Sequence, residues 1–430
     1  MERGEDRRGL FLCHPDRRGA GLCLHLSELT PCAPRGGAKT RQKEKRALHS
    51  RKKQQKKPRD DKQRSAVDAP FLIIVLILVV FGLIMLFSAS YATALYRFGD
   101  SFHFIKDQVL FAVVGVTAMF IASRVDYHIF HRLAWPLMAV SLLLLLVVLF
   151  MPALNNAHRW IQIPGFGTLQ PSEIAKFAII VLFAHIISIN YAKMKTFSYG
   201  VVPFMVVLVP VIVLMILEPH LSGTILIVAI GGIMMFVGGT GLKWFGLGGG
   251  LVAGGITAAV LAFPDLVPYA MTRVEMWQNP YLDIQGKGHQ TVQSLLAIGS
   301  GGVMGLGLGN SRQKHLYVPE PQNDFIFSII CEELGFVGAM VVILLFVLLL
   351  VRGAVVALNA KDKFGAMLVV GIIAQVTVQA VLNIAVVTNT IPNTGISLPF
   401  FSYGGTSLMM LLGEMGIVLS VSRQGRSPKT

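Results

Sequence analysis

Residues 71–88 read FLIIVLILVVFGLIMLFS, an uncharged run without a proline. At 1.5 Å per residue such a run, extended by its helical flanks, crosses a hydrocarbon core about 30 Å thick. From here to the C-terminus the chain repeats one pattern, an apolar run of about 20 residues followed by a polar break. The runs lie near 70–91, 104–123, 133–152, 172–190, 199–217, 221–239, 244–264, 325–351, 364–391 and 405–422. The expected fold is therefore an all-α polytopic membrane protein with ten transmembrane helices. Its composition agrees, with 53% hydrophobic and 14% charged residues, where a soluble domain carries roughly a quarter charged.

The net charge of +15 over 430 residues would suggest nucleic acid in a soluble chain. Its placement says otherwise. Residues 1–68 hold 19 Lys/Arg and 9 Asp/Glu, and this segment is expected to be a disordered basic cytoplasmic tail, attracting anionic membrane lipid or docking a partner. With the tail inside, the alternate loops carry Arg124, Arg132, Lys193, Lys195, Lys243, Arg352, Lys361, Lys363 and Arg423, against only Asp126 and Asp362. That is the positive-inside bias, and it places both termini in the cytoplasm. The expected organisation is a tail over 1–68, a membrane domain over 69–425 and a cytoplasmic end over 426–430. The charge is a topology signal and points to no nucleic acid. Cysteines at 13, 23, 32 and 331 give neither a disulfide framework nor a zinc-ligand spacing.

Two outer loops are long, about 153–171 and 265–324, the second between helices 7 and 8. Ionisable residues against hydrocarbon are functional candidates by default, and here they are Glu173, Lys176, Glu218, Asp324, Glu332, Glu333 and Glu414. Most stand toward the outer ends of spans, whereas a proton-coupled transporter more often sets them at the midplane. Glu173 and Lys176 share a helical face after Gln170-Pro171-Ser172, which suits either an N-terminal cap with an ion pair or a binding site. Arg159 and Trp160 add a fork for phosphate oxygens and a flat face for a sugar. Asp324, in Pro319-Glu320-Pro321-Gln322-Asn323-Asp324, stands half desolvated where loop meets span, a place for a general base or a helix N-cap. Arg273, Lys287, Arg312, Lys314 and His315 surround it in sequence with positive charge. The glycines from 299 to 309 follow no strand and precede no Gly-Lys-Ser/Thr, so they form no nucleotide loop. No Asp-x-Asp pair, His-Glu-x-x-His or Ser/His/Asp pattern is present, and no metal site is expected.

Three segments together resemble a known family. Arg159-Trp160-Ile161 through Gln170-Pro171-Ser172-Glu173 to Lys176, Pro319 through Asp324-Phe325-Ile326-Phe327 to Gly335, and Leu398-Pro399-Phe400-Phe401-Ser402-Tyr403-Gly404-Gly405-Thr406-Ser407 are similar to the signatures of the SEDS family, which comprises the septal FtsW, elongation RodA and sporulation SpoVE proteins. The resemblance implies a peptidoglycan glycosyltransferase that polymerises lipid II, the undecaprenyl-diphosphate disaccharide-pentapeptide, outside the bacterial cytoplasmic membrane. It implies Asp324 as the general base of an inverting transfer, with Arg159, Trp160, Gln170, Ser172, Glu173, Lys176, Arg273, Arg312, Lys314 and Ser402 as substrate-binding candidates. The implied partners are a class B penicillin-binding transpeptidase and other divisome proteins at the septum. No cofactor is implied; a divalent cation assisting the diphosphate is compatible with the residues, and no acidic cluster demands one. A lipid II flippase, a non-catalytic division scaffold, and the same polymerase serving sporulation or elongation are the alternatives. Gln322-Asn323 before Asp324 is closer to the SpoVE-like and Gram-positive FtsW pattern than to the family's common His-Thr, and His220 replaces an acid usual in the Glu218-Pro219 turn.

Overall fold

The computed structural model describes residues 67–151, 159–163, 167–218, 220–250, 274–286, 288–315 and 317–425. The tail over 1–66, the C-terminal end over 426–430, the last part of the expected 244–264 span, and Arg273 and Lys287 lie outside the described residues. Among the described residues the main helices are, in chain order, α1 Ala69–Phe98, α2 His103–Arg124, α3 His128–Val148, α4 Pro171–Asn190, α5 Val202–Leu217, α6 Leu221–Val237, α7 His289–Gly301, α8 Ile326–Leu358, α9 Lys363–Val387 and α10 Gly405–Gln424. Among the described residues, eight helical segments are long and apolar enough to cross a membrane, and α6, at 17 residues, falls just short. Helical backbone also runs over 242–250, where the seventh span was expected to begin. The chain is a multi-pass helical membrane protein. One departure from the all-α expectation is a small antiparallel hairpin, β1 Ile161–Ile163 with β2 Gly167–Leu169, in the first long outer loop.

Burial sorts the helices. In their most apolar windows α4 is 67% and α9 and α10 are each 61% buried, against 22% for α2, so α4, α9 and α10 are the most enclosed and α2 faces the surroundings. Lacking a hydrophobic drive between helices in lipid, close approach depends on small residues. Along α2 and α10 these are Gly115, where a Cβ would stand 2.7 Å from Leu412, and Gly416, where it would stand 2.4 Å from the Met119 carbonyl oxygen. Among the described helices, α1 and α9 carry a side-chain cap at their start. The Asp68 carboxylate accepts from Phe71 N at 3.0 Å, and Asp362 accepts from Gly365 N at 3.2 Å, each satisfying an orphan amide of the first turn.

The loop contacts sort into two ends. At one, Arg352 bridges Asp68 at 2.6 Å, Tyr127 donates to Asp362 at 2.6 Å, and Arg423 donates to the Arg124 carbonyl oxygen at 2.8 Å. At the other, Arg97 meets Glu320 at 3.2 Å and Thr406 donates to the Thr168 carbonyl oxygen at 2.8 Å. Arg124, Arg352 and Arg423 thus lie at the first end, and Glu320 and Thr168 at the second.

α8 is broken at Gly335 (φ 66°, ψ −165°), a left-handed backbone that favours glycine. The backbone groups that the break frees are taken up by the glycine-rich segment after α7: Phe336 N donates to Gly302 O at 2.9 Å, and the Glu332 carbonyl oxygen accepts from Leu306 N at 3.0 Å. The glycine-rich segment from 301 to 309 thus splints a kinked helix.

Candidate functional site

Asp324 is fixed by its neighbours' backbone rather than by its own side chain. The loop between α9 and α10 lies against residues 322–324. Tyr403 N donates to Gln322 O at 2.8 Å, and the Ser402 hydroxyl donates to Asn323 O at 2.6 Å while accepting from Leu398 N at 2.7 Å. From α9, Asn383 Nδ2 donates to Asp324 O at 2.7 Å and to Ile396 O at 2.6 Å. From α2, Gln108 binds Gly404 N and Ser402 O, at 3.2 and 3.4 Å. Gly82 of α1 lets the loop press in, since a Cβ there would stand 2.2 Å from Phe400 O. Three helices, α1, α2 and α9, thus converge on one turn of chain.

The helix-cap alternative for Asp324 is not realised. The N-cap of α8 is Phe325, without a side-chain bond, and among the described residues no donor lies within hydrogen-bond distance of the Asp324 carboxylate. Burial, reinforced by the nearby Glu320 charge, pushes that carboxyl up to about 6, while Arg159 pulls it down. A half-buried carboxylate without hydrogen-bond donors, titrating near neutrality, has the properties of a general base. Glu320 itself is held at φ 48°, tied by Arg97 and by Asn323 Nδ2 at 2.6 Å.

Arg159 stands between carboxylates. Its Nε donates to the Glu218 carbonyl oxygen at 3.5 Å, and its charge is felt by both Glu218 and Asp324. Burial raises Glu218 to about 7 against that attraction, and burial together with Arg159 and Lys176 lowers His220 to about 3. The Glu218-Pro219-His220 turn, to which no role was given, therefore belongs to this corner, with His220 uncharged. Trp160 beside Arg159 is half-buried.

On α4, Glu173 and Lys176 form the expected i, i+3 pair, 2.8 Å apart. Gln170 is the N-cap but makes no side-chain bond, and the Ser172 hydroxyl is buried without a partner, so neither caps the helix through its side chain. Lys176 Nζ also donates to Gln379 Oε1 at 3.5 Å. A cleft beside this pair is lined by Glu173, Gln375, Gln379, Ser397, Ser402 and Ser407.

Two expected ligands have their polar groups engaged within the protein. Lys314 is fully buried, paired with Glu333 at 2.7 Å, with Tyr91 4.7 Å beneath its ammonium. Glu333 accepts also from Ser88, and Glu332 from Ser311, Arg312 N and Gln313 N. Lys314 is thereby spent on fixing loop to helix, because a buried ion pair persists only if both charges stay matched. The Ser402 hydroxyl is likewise occupied by its two backbone bonds. Arg312 keeps its side chain exposed, and Arg273 lies outside the described residues.

Asn383, Gln379 and Gln375 were not singled out from the sequence. The signal was there: three carboxamides at four-residue intervals within an apolar span, which one helical face must carry. Among the described residues no group of three or more His, Cys, Asp or Glu converges on one point. An apolar groove of about 420 Å³, lined by Leu83, Ile84, Phe87, Ile105 and Val109, opens between α1 and α2.

The FtsW/RodA/SpoVE family model, described as cell cycle protein, matches residues 69–427. The chain belongs to the FtsW/RodA/SpoVE family. Stage V sporulation protein E of Bacillus subtilis is 41% identical over 368 residues, covering 85% of this chain and 99% of that protein. The probable peptidoglycan glycosyltransferase FtsW of Trichlorobacter lovleyi is 40% identical over 359 residues, covering 83% and 93%. Among solved structures, a peptidoglycan synthase complex that coordinates polymerization and crosslinking matches with TM-score 0.69 at 30% identity, covering 83% and 98%. The rod shape determining protein RodA of Thermus thermophilus matches with TM-score 0.62 at 27% identity, covering 84% and 98%. The match starts at Ala69, so the basic tail stands outside the FtsW/RodA/SpoVE region, and every site residue described above falls within it.

Proposed function

We propose that this member of the FtsW/RodA/SpoVE family is a peptidoglycan glycosyltransferase that polymerises lipid II at the outer membrane surface, with Asp324 as general base. The Asp324 carboxylate takes the proton of the acceptor sugar's 4-hydroxyl as that oxygen bonds to the donor's anomeric carbon. The anomeric C–O bond to diphosphate breaks, and its electron pair leaves with the undecaprenyl diphosphate. One base on the face opposite the leaving group gives inversion. The diphosphate is met by positive charge in a low-dielectric setting, where such charge is worth most; Arg159 and Lys176 are the described cations at this corner, and Arg312 and Arg273 are further candidates. Trp160, Gln170, Ser172 and Glu173 complete the binding surface. The groove between α1 and α2 suits one polyprenyl chain.

The observation that carries this reading is the half-buried Asp324 carboxylate, free of hydrogen-bond donors and within the field of Arg159. The FtsW names of relatives near 40% identity favour septal synthesis in division, with a class B penicillin-binding transpeptidase as partner, as a synthase complex of similar fold suggests. The 41% match to stage V sporulation protein E favours a second reading, the same polymerase in sporulation. Proteoliposomes containing the protein and fluorescent lipid II separate polymerase from transporter. Polymer on a gel that disappears with Asp324→Ala is expected, and lipid II flipping without polymer rejects the proposal.

A further inference from the structure

The face of α9 that carries Gln375, Gln379 and Asn383 reaches two groups that the proposed reaction uses. Asn383 is fully buried. Both of its near neighbours are carbonyl oxygens, of Asp324 at 2.7 Å and of Ile396 at 2.6 Å, so only its NH₂ can face them. One turn earlier, Gln379 Nε2 donates to the Ser397 carbonyl and hydroxyl oxygens at 3.0 and 3.2 Å, and its Oε1 accepts from Lys176 Nζ at 3.5 Å. Gln375, a further turn on, holds Glu414 at 3.0 Å.

We infer that Asn383 and Gln379 are positioning residues that fix how far Asp324 stands from Lys176, with one turn of α9, about 5.4 Å along its axis, as the ruler. The inference rests on the reading of Asp324 as the base and of Lys176 as a cation for the diphosphate. In an inverting transfer the base and the leaving group lie on opposite faces of one sugar, so their separation has to match the ring between them. Two loops that merely touched could not hold that distance, because residues 322–324 and 395–402 have little regular structure of their own. A helix already buried in the bundle can. Carboxamides suit the task by their chemistry. They donate to main-chain oxygens without bringing a charge, whereas a lysine at 383 would depress the Asp324 carboxyl and an aspartate would face two carbonyl oxygens with a third acceptor. Gly395, at φ +69° with its Cβ direction 3.2 Å from Asp324 Oδ2, leaves the other side of the carboxylate clear.

The two positions differ in what they hold, and steady-state kinetics on lipid II distinguishes them. In Asn383→Leu, which matches the volume and removes both donors, kcat is expected to fall at least thirtyfold with KM changed less than threefold. The acid limb of the kcat–pH profile should move to lower pH, because Asp324 is no longer kept in its buried place. In Gln379→Leu, KM should rise about tenfold and the acid limb should stay. If Asn383→Leu unfolds, Asn383→Ser, which keeps a single donor, should show the same limb shift at smaller amplitude. The inference is overturned if the limb stays where it is in the position-383 variants, or if both positions lower activity only in proportion to folded protein. Asp324→Asn, run alongside, tests the underlying reading separately: polymer formed by that variant removes the base itself, whatever the position-383 variants do.

Discussion

Gly82→Ala adds one methyl group at the place where α1 meets the loop that holds Asp324. The new Cβ would stand 2.2 Å from Phe400 O, 2.9 Å from Phe400 C and 3.2 Å from Phe401 Cα, all backbone atoms, whereas ordinary contact begins at 3.4 Å. Helix and loop must therefore part by about 1.2 Å. The loop cannot absorb this by swivelling, because Phe400 already sits at φ 67°, a conformation that costs about 1–3 kcal/mol for a non-glycine residue. The displacement passes two residues on to Ser402 and Tyr403, whose bonds to Asn323 O and Gln322 O set the Asp324 backbone. A misplacement of about 1 Å at a reacting group costs on the order of 10²-fold in rate, and overpacking costs about 1–3 kcal/mol in stability. Purified Gly82→Ala should thus bind lipid II, melt a few degrees lower, and polymerise about a hundredfold more slowly, measured as initial rates on a fluorescent substrate. A variant within twofold of the native rate would refute the chain of contacts from α1 through Phe400 to Asp324.

Three further outcomes follow from the same geometry. Lys314→Met strands the Glu333 charge in a fully buried site and should cost about 3–5 kcal/mol in detergent unfolding, with most of it recovered by adding Glu333→Leu; a raised KM without a stability change would instead return Lys314 to the substrate. Arg159→Lys keeps the charge but loses the fork, and kcat/KM should fall about 10–100-fold, the worth of one or two charged hydrogen bonds. Asp324 ionises near 6 when folded against an ordinary 3.8, so its charge opposes folding above pH 6 and is absent below pH 4. Asp324→Asn should therefore raise the melting temperature at pH 8 and leave it unchanged at pH 4, and an equal effect at both would contradict burial of the charge.

The sequence displayed the spans because hydrocarbon leaves the chain few choices: nearly every residue of a run such as 71–88 must be apolar, and the runs are countable. α6 is the marginal case, its 17 residues ending at Val237 where Gly238 and Gly239 follow. Asp324 was legible for a related reason, since a carboxylate at a loop–span junction is costly and conspicuous. Lys314 was misjudged because its partner Glu333 lies 19 residues away and Ser88 lies 226 away; a cation near Asp324 in sequence is brought by folding to a different element. Ser402 was taken for a ligand when its hydroxyl serves the backbone of residues 323 and 398, a role that depends on two loops meeting. The cap alternative for Asp324 failed through a shift of one residue in where α8 begins. Asn383 was readable from its spacing with Gln375 and Gln379, but periodicity says which residues share a face and not what that face meets.

The most direct measurement is the initial rate of lipid II polymerisation against pH, from 4.5 to 8.5, for the native protein and Asp324→Asn in the same lipid. Asp324 as base predicts a native rate that rises with pH through a limb near 6 and then levels, with polymer below about 1% of native in Asp324→Asn at every pH, the 10²-fold or more that a general base contributes. Polymer formed by Asp324→Asn at more than a tenth of the native rate, or the same acid limb persisting in that variant, would contradict it.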